Sequence, residues 1–309
     1  MDTFAIVAGT GSSALAAAAA AELGVSLCPC AVDRFPDGEV AVELGASVRG
    51  RTVFLVQATA PPVNDHLVEL LVMADACRRA SAARITAVVP YFGYARSDKR
   101  DGKRRPITAS AVSVLMESIG IDHVVTVDVH TPQLEGFFRI PIDNLSAVPT
   151  LCAALHHHVP GNAVVVSPDL GGLRRATEYS QRLGMPAAVC RKQRTSGTEV
   201  SVTQVIGDVS GRPCVIVDDM ITTGGTVAEC VRALRDAGAR PPFTVAATHG
   251  VFTPGSRERL AEAGVRDIVV TDTIAQPHLG EGLRVVSIAG LLAHALRRLG
   301  SDASLSTLA

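Results

Sequence analysis

An α/β architecture in two halves follows from three features of the 309-residue chain. Short apolar runs alternate with segments whose apolar residues recur at helical spacing, the pattern of mainly parallel sheets flanked by helices. The alternation comes in two sets of about five strands, with a seam near Asn144–Pro149. Hydrophobic residues make up 47% and charged residues 19%, which supplies a sizeable core and argues against disorder. Aromatics are only 4% and Trp is absent, so Ala, Val and Leu must build that core.

Phe4–Val7 reads as a buried strand, with Ser12 or Ser13 capping the next helix and Gly24 ending it. Val53–Gln57 is a second strand, and Asn64 caps a helix carrying Leu67, Leu70, Leu71 and Ala74 on one face. Ile85–Val89 is a strand stopped by Pro90, Thr108 caps a helix to about Ile119, and His123–Val127 is a further strand. In the second half, strands are expected at Ala163–Ser167, Ala187–Cys190, Cys214–Val217, Phe243–Ala247 and Ile268–Val270. Helices fit Leu173–Leu183, Gly225–Ala237, Ser256–Ala263 and Ile288–Leu299.

Several function classes are excluded at this level. A net charge of −1 gives no global field for nucleic acid or an anionic membrane. No apolar run reaches the ~18–20 residues of a membrane span, and Ala14–Ala21 lacks the basic start and cleavage site of a signal peptide. A soluble, cytoplasmic protein is expected. The seven Cys form no CxxC pair, so buried reduced thiols are expected rather than a zinc site or a disulfide framework. Neither a GxxxxGK[ST] loop nor a GxSxG elbow occurs. Gly9-Thr10-Gly11-Ser12-Ser13-Ala14 reads as a tight turn, and His156-His157-His158 as a solvated helix end.

Sites in such folds lie at the carboxyl ends of strands. The strand Cys214–Val217 runs into Asp218-Asp219-Met220-Ile221-Thr222-Thr223-Gly224-Gly225-Thr226. Backbone N–H groups at a helix N-terminus favour a phosphate, and Gly lets the backbone approach closely. The two carboxylates suit ribose hydroxyls, directly or through Mg²⁺. An ordinary capped turn has the same residue types, and spacing alone weighs the two equally. His130 lies just past a strand end beside Asp128, where a neutral imidazole can ligate a divalent ion. Asp169, in Ser167-Pro168-Asp169-Leu170-Gly171-Gly172, is either a hard oxygen ligand or a helix cap. Arg34-Phe35-Pro36-Asp37-Gly38-Glu39 reads first as a turn. From Lys99 to Arg105 the chain carries five basic residues and one acid, which fits a solvated loop, a nucleic-acid patch, or a lid that closes on triphosphate. Lys192 and Arg194 are one residue apart on extended backbone and point the same way, where both could face a transferring diphosphate.

Together these segments resemble the ribose-phosphate pyrophosphokinase (phosphoribosyl pyrophosphate synthetase) family. Asp218–Thr226 is similar to the 5-phosphoribosyl-diphosphate motif that this family shares with type I phosphoribosyltransferases, with Thr222 where an acid is usual. The run from Val127 to Phe138 resembles a signature that simple phosphoribosyltransferases lack. The resemblance implies two tandem type I phosphoribosyltransferase-like domains, residues 1–146 plus 288–309 and residues 147–287. It implies Mg²⁺ on His130 and Asp169, and ATP on Asp37, Gly38 and Glu39 of a neighbouring subunit and on Arg96 and Ser97. Ribose 5-phosphate would lie on Arg194, Asp218, Asp219 and Thr222, Thr223, Gly224, Gly225 and Thr226, with Lys192 and Arg194 catalytic. Gln193 departs from the Lys-Arg-Arg usual there, and Ser97 stands where Gln is common. The expected partners are ATP, ribose 5-phosphate and further copies of the chain, as a dimer or hexamer, with no nucleic acid and no membrane. A phosphoribosyltransferase and a non-catalytic regulatory subunit are the competing readings. The segment around His130 and the basic loop argue against the first, and the retained His130, Asp169, Lys192 and Arg194 against the second.

Overall fold

A computed structural model describes the chain apart from residues 1–3, 101, 103, 197–198, 279, 302, 307 and 309, and apart from the side chains of residues 192–203. It divides into two compact units: Met1–Ser146 with Thr273–Ala275 and Ser287–Ala309, and Ala147–Asp272 with Gln276–Val286.

The first unit opens with β1 (Phe4–Ala8), α1 (Ser13–Leu23) and a hairpin of β2 (Cys30–Arg34) and β3 (Val40–Leu44). β4 (Thr52–Val56), α2 (Val63–Arg79), β5 (Arg84–Val89), α3 (Thr108–Ser118), β6 (His123–Val127) and β7 (Ile142–Leu145) follow. Five of these strands form a wholly parallel sheet in the order β1-β4-β5-β6-β7, while β2 and β3 pair with each other antiparallel. Strands buried on both faces read as continuous apolar runs, which explains why Val53–Val56 and Ile85–Val89 are visible in sequence and fully buried.

The second unit comprises α4 (Val148–His156), β8 (Val164–Ser167), α5 (Leu173–Leu183), β9 (Ala187–Ser196), β10 (Glu199–Ile206) and β11 (Cys214–Ile221). It continues with α6 (Gly225–Asp236), β12 (Phe243–Gly250), α7 (Ser256–Ala263), β13 (Val265–Thr271) and β14 (Leu283–Val286). Its seven-stranded sheet runs β10-β9-β8-β11-β12-β13-β14, and only the β9–β10 pair is antiparallel. Alternate residues face opposite sides. Val164, Val166 and Ile216 pack with Val227, Val231 and Leu234 of α6, whereas Val165, Val215 and Val217 pack with Leu151 and Leu155 of α4 and Ala176 and Tyr179 of α5. Full burial of each such side chain contributes about 1.5–3 kcal/mol. The last helix, α8 (Ala289–Leu299), belongs to the first unit, where it packs on α1 and Arg297 donates to the Glu22 carbonyl at 3.3 Å.

Several local expectations are corrected. Thr108 does not cap α3 but is its first residue, and Ser97 Oγ accepts from its N–H at 3.2 Å. Asn64 lies inside α2, which starts after Pro62. Ser12 Oγ accepts from Ala58 N–H at 2.8 Å instead of capping α1, whose left-handed end at Gly24 (φ 72°) is as expected. β11 runs on to Ile221, so Asp218 and Asp219 are strand residues rather than the first residues of a turn.

Candidate active site

In the second unit the chain leaves β8 toward β9 and β10 at one edge, then returns to place β11 on the other side of β8. That reversal is a topological switch point, and open α/β sheets bind ligands in the crevice beyond the carboxyl ends of the two strands that flank it. Pairing of β11 with β8 stops at Ile216, whereas its pairing with β12 continues to Ile221. Asp218 and Asp219 therefore have a strand on one side and the crevice on the other.

Asp219 is buried and Asp218 half-buried, and Asp218 Oδ1 accepts from the Asp219 N–H at 2.9 Å. Burial pushes the Asp218 carboxyl well above the usual carboxylate range, the adjacent Asp219 adds to the rise, and Arg175 opposes it. Beyond Ile221, the segment Thr222–Gly224 turns into α6. Gly224 has φ +71° and lies against Leu260, so a side chain there would be strained. The loop is held from the β12–α7 connection: Thr253 N–H donates to the Thr222 carbonyl at 3.0 Å and Arg259 Nη1 to the Thr223 carbonyl at 2.5 Å. The start of α6, where Gly225 N–H donates to Thr223 Oγ1 at 3.4 Å, thus follows the two carboxylates by way of a short fixed loop, and a helix N-terminus after two carboxylates suits a phosphate and a diol.

Asp169 follows β8 and is exposed, with Oδ1 accepting from Gly172 N–H at 3.0 Å and its carbonyl accepting from Ser167 Oγ at 2.6 Å. It fixes the approach to α5 and still has the chemistry of a hard-cation ligand. Lys192 and Arg194 lie on the backbone of β9 opposite Thr203 and Ser201 of β10. Their side chains fall outside the described residues.

In the first unit, His130 is exposed just past β6, and Asp128 before it has φ +40°, an uncommon value for a non-glycine residue. Asp37, Gly38 and Glu39 form the exposed tip of the β2–β3 hairpin, where Gly38 has φ +96° and Glu39 N–H donates to Asp37 Oδ1 at 3.2 Å. Arg96 is exposed, while Ser97 Oγ meets Thr108 Oγ1 at 3.1 Å and so ties the base of the basic loop to α3. Asp101 and Lys103 of that loop lie outside the described residues. Among the described residues no three His, Cys, Asp or Glu side chains converge on one point. No helix is long and apolar enough to cross a membrane, among the same residues.

Two residues escape the sequence reading. Arg175 Nη1 lies 3.7 Å from Asp218 Oδ1 and 3.6 Å from Asp219 Oδ1, and Arg259 holds the loop. A signal for Arg175 exists: it and Arg174 are cations in the first turn of α5, where the helix dipole disfavours them.

Comparison with known proteins agrees with this geometry. Residues 4–120 match the model of the N-terminal domain of ribose phosphate pyrophosphokinase, and residues 194–309 that of the phosphoribosyl synthetase-associated domain. A ribose-phosphate pyrophosphokinase of Agrobacterium fabrum is 46% identical over 308 residues, covering 98% of this chain and 99% of the relative. One from Chromobacterium violaceum is 45% identical, covering 99% and 95%. The crystal structure of phosphoribosylpyrophosphate synthetase from Mycobacterium smegmatis superposes with a TM-score of 0.89 at 39% identity, covering 97% of this chain and 99% of that one. With relatives 45–46% identical and matched over nearly their whole length, the chain belongs to the ribose-phosphate pyrophosphokinase family.

Proposed function

We infer that the chain transfers the β,γ-diphosphate of ATP to the C1 hydroxyl of ribose 5-phosphate, giving 5-phosphoribosyl 1-diphosphate and AMP for nucleotide biosynthesis. The observation that carries this reading is the crevice beside β11, where two carboxylates adjoin a glycine loop at the start of α6. In this reading the 5-phosphate rests on Thr222–Thr226, and Asp218 and Asp219 accept from the ribose hydroxyls. The C1 oxygen attacks the β-phosphorus in line, the bond from that phosphorus to the AMP oxygen breaks, and the hydroxyl proton is released. Such transfer depends on positioning and on fixed positive charge rather than on a covalent enzyme intermediate. Lys192 and Arg194 provide that charge, and the basic loop from Lys99 to Arg105 excludes water that would hydrolyse ATP.

The nucleotide is assigned to Asp37, Gly38, Glu39, Arg96 and Ser97. Exposure of the hairpin tip supports its use by a neighbouring copy, and with it a homo-oligomer. His130 and Asp169 are assigned as ligands of Mg²⁺, which fits an exposed carboxylate and imidazole at strand ends. The ion would neutralise charge on the ATP phosphates. Residues 1–146 plus 288–309 and residues 147–287 are read as the two phosphoribosyltransferase-like domains. Seven free thiols, most of them buried, favour a cytoplasmic setting.

Product analysis tests the reading. With ATP, Mg²⁺ and ribose 5-phosphate, equal amounts of AMP and 5-phosphoribosyl 1-diphosphate are expected. Lys192→Ala should lower turnover by about 10³-fold or more. A folded protein that binds ATP without turnover would instead be a regulatory subunit.

A further inference from the structure

We propose that Arg175 is a positioning residue for ribose 5-phosphate: its guanidinium bridges Asp218 and Asp219 across the open side of β11 and fixes them as one acceptor for the sugar hydroxyls. This rests on the assignment of that pair to the ribose.

Three observations support it. First, adjacent strand residues direct their side chains to opposite faces, yet one atom, Arg175 Nη1, lies within 4 Å of both carboxylates, at 3.7 Å and 3.6 Å. That reach requires space beside the strand, and the early end of the β8 pairing at Ile216 provides it. Second, all three groups are shielded, with side-chain exposures of 19% for Arg175, 22% for Asp218 and 6% for Asp219. Two shielded neighbouring carboxylates repel each other, and a cation between them opposes that repulsion. Third, Arg175 sits in the first turn of α5, where the helix dipole disfavours a cation. The contacts with Asp218 and Asp219 offset that placement. Arg174 beside it is exposed and differs in this respect.

The geometry also defines the mode of action. At 3.6–3.7 Å the guanidinium stands beyond hydrogen-bond distance of both carboxylates, so it engages them by charge rather than as a hydrogen-bond donor. Arg175 therefore acts through the carboxylates, and its loss should fall on ribose 5-phosphate far more than on ATP.

Steady-state kinetics and calorimetric binding of ribose 5-phosphate test this in Arg175→Gln, Arg175→Lys and the control Arg174→Gln, each with a thermal melt. Parent activity is measured first, so failure of the assigned reaction is seen separately from failure of this inference. Arg175→Gln should raise KM for ribose 5-phosphate about 10- to 100-fold, as loss of a supporting-shell contact does, while KM for ATP changes less than about twofold. Arg175→Lys should recover part of the loss, because charge returns without the fork, and Arg174→Gln should match the parent. In an Asp218→Asn background the further effect of Arg175→Gln on ribose 5-phosphate binding should shrink, since the two groups act as a unit. Unchanged binding in Arg175→Gln, an equal rise in both KM values, or full additivity with Asp218→Asn would each overturn the proposal. If Arg175→Gln does not fold, Arg175→Lys decides: a selective rise in KM for ribose 5-phosphate supports it, and an unselective or absent one sinks it.

Discussion

Because burial and the neighbouring Asp219 raise the Asp218 carboxyl well above the usual range, folding makes this residue hold its proton longer than the unfolded chain does. Between the ordinary carboxylate value and the raised one, the folded state binds more protons, so stability falls as pH rises through that window. Above it the charged carboxylate opposes folding in full. Asp218→Asn should therefore melt higher than the parent at pH 8, measured without divalent cations or substrate, and the gain should shrink as pH falls toward the ordinary carboxylate range. The same variant should lose ribose 5-phosphate affinity. A gain in melting temperature independent of pH would show that shape, not charge, sets the difference. Asp218 and Asp219 were legible in the sequence because an apolar strand ran directly into them. Arg175 was not, because its partners lie more than forty positions along the chain and only the sheet order brings them to α5. Ser97 shows another limit: sequence marked its place beside Arg96, but not that its hydroxyl is engaged by the start of α3.

Elements carried by apolar runs or by strong caps were read well. Leu173–Leu183 and Ser256–Ala263 coincide with α5 and α7, and Gly24 ends α1 in the left-handed region. What escaped were most of the polar or very short elements, together with the apolar α4 and the strand β3. The outer part of β9 is cationic and β10 alternates Val with Ser, Thr and Gln, so no continuous apolar run marks this hairpin. β7, with Asp143 and Asn144 at its centre, fails for the same reason. The loop between β11 and α6 depends on elements far from it in sequence, through Thr253, Arg259 and Leu260. Gly224 is the tightest point: a Cβ there would lie 3.0 Å from Leu260 Cγ and 3.1 Å from the Ser256 carbonyl, on backbone with φ +71°. Gly224→Ala should cost about 1–3 kcal/mol of stability in a denaturant titration. Displacement of the loop should also raise KM for ribose 5-phosphate about tenfold or more. Full stability with unchanged KM would mean that the turn tolerates a side chain and that its geometry does not set phosphate affinity.

At the scale of the whole molecule, the residues assigned to nucleotide and to sugar come from different parts of the chain: Asp37–Glu39 belong to the first unit, and Asp169, Lys192 and Asp218 to the second. The hairpin itself is a small two-stranded ribbon apart from the parallel sheet, with Phe35 55% exposed near its tip. Its inner residues Val32, Val42 and Leu44 pack on the core of the first unit, which leaves the tip projecting from it. If copies of the chain exchange this tip, catalytic defects on its two sides should complement each other. A variant with Asp37→Ala and Glu39→Ala and a second with Lys192→Ala are each expected to be nearly inactive. Mixed in equal amounts under conditions that allow subunit exchange, half of the dimers would be heterologous. In those, one of the two shared sites would combine an intact hairpin with an intact Lys192, so about a quarter of all sites should recover. Activity that returns in proportion to exchange would establish a site built from two copies. Absence of recovery despite proven exchange would place the hairpin in the same chain's site, and full activity of a strictly monomeric parent would remove the hairpin's intersubunit role altogether.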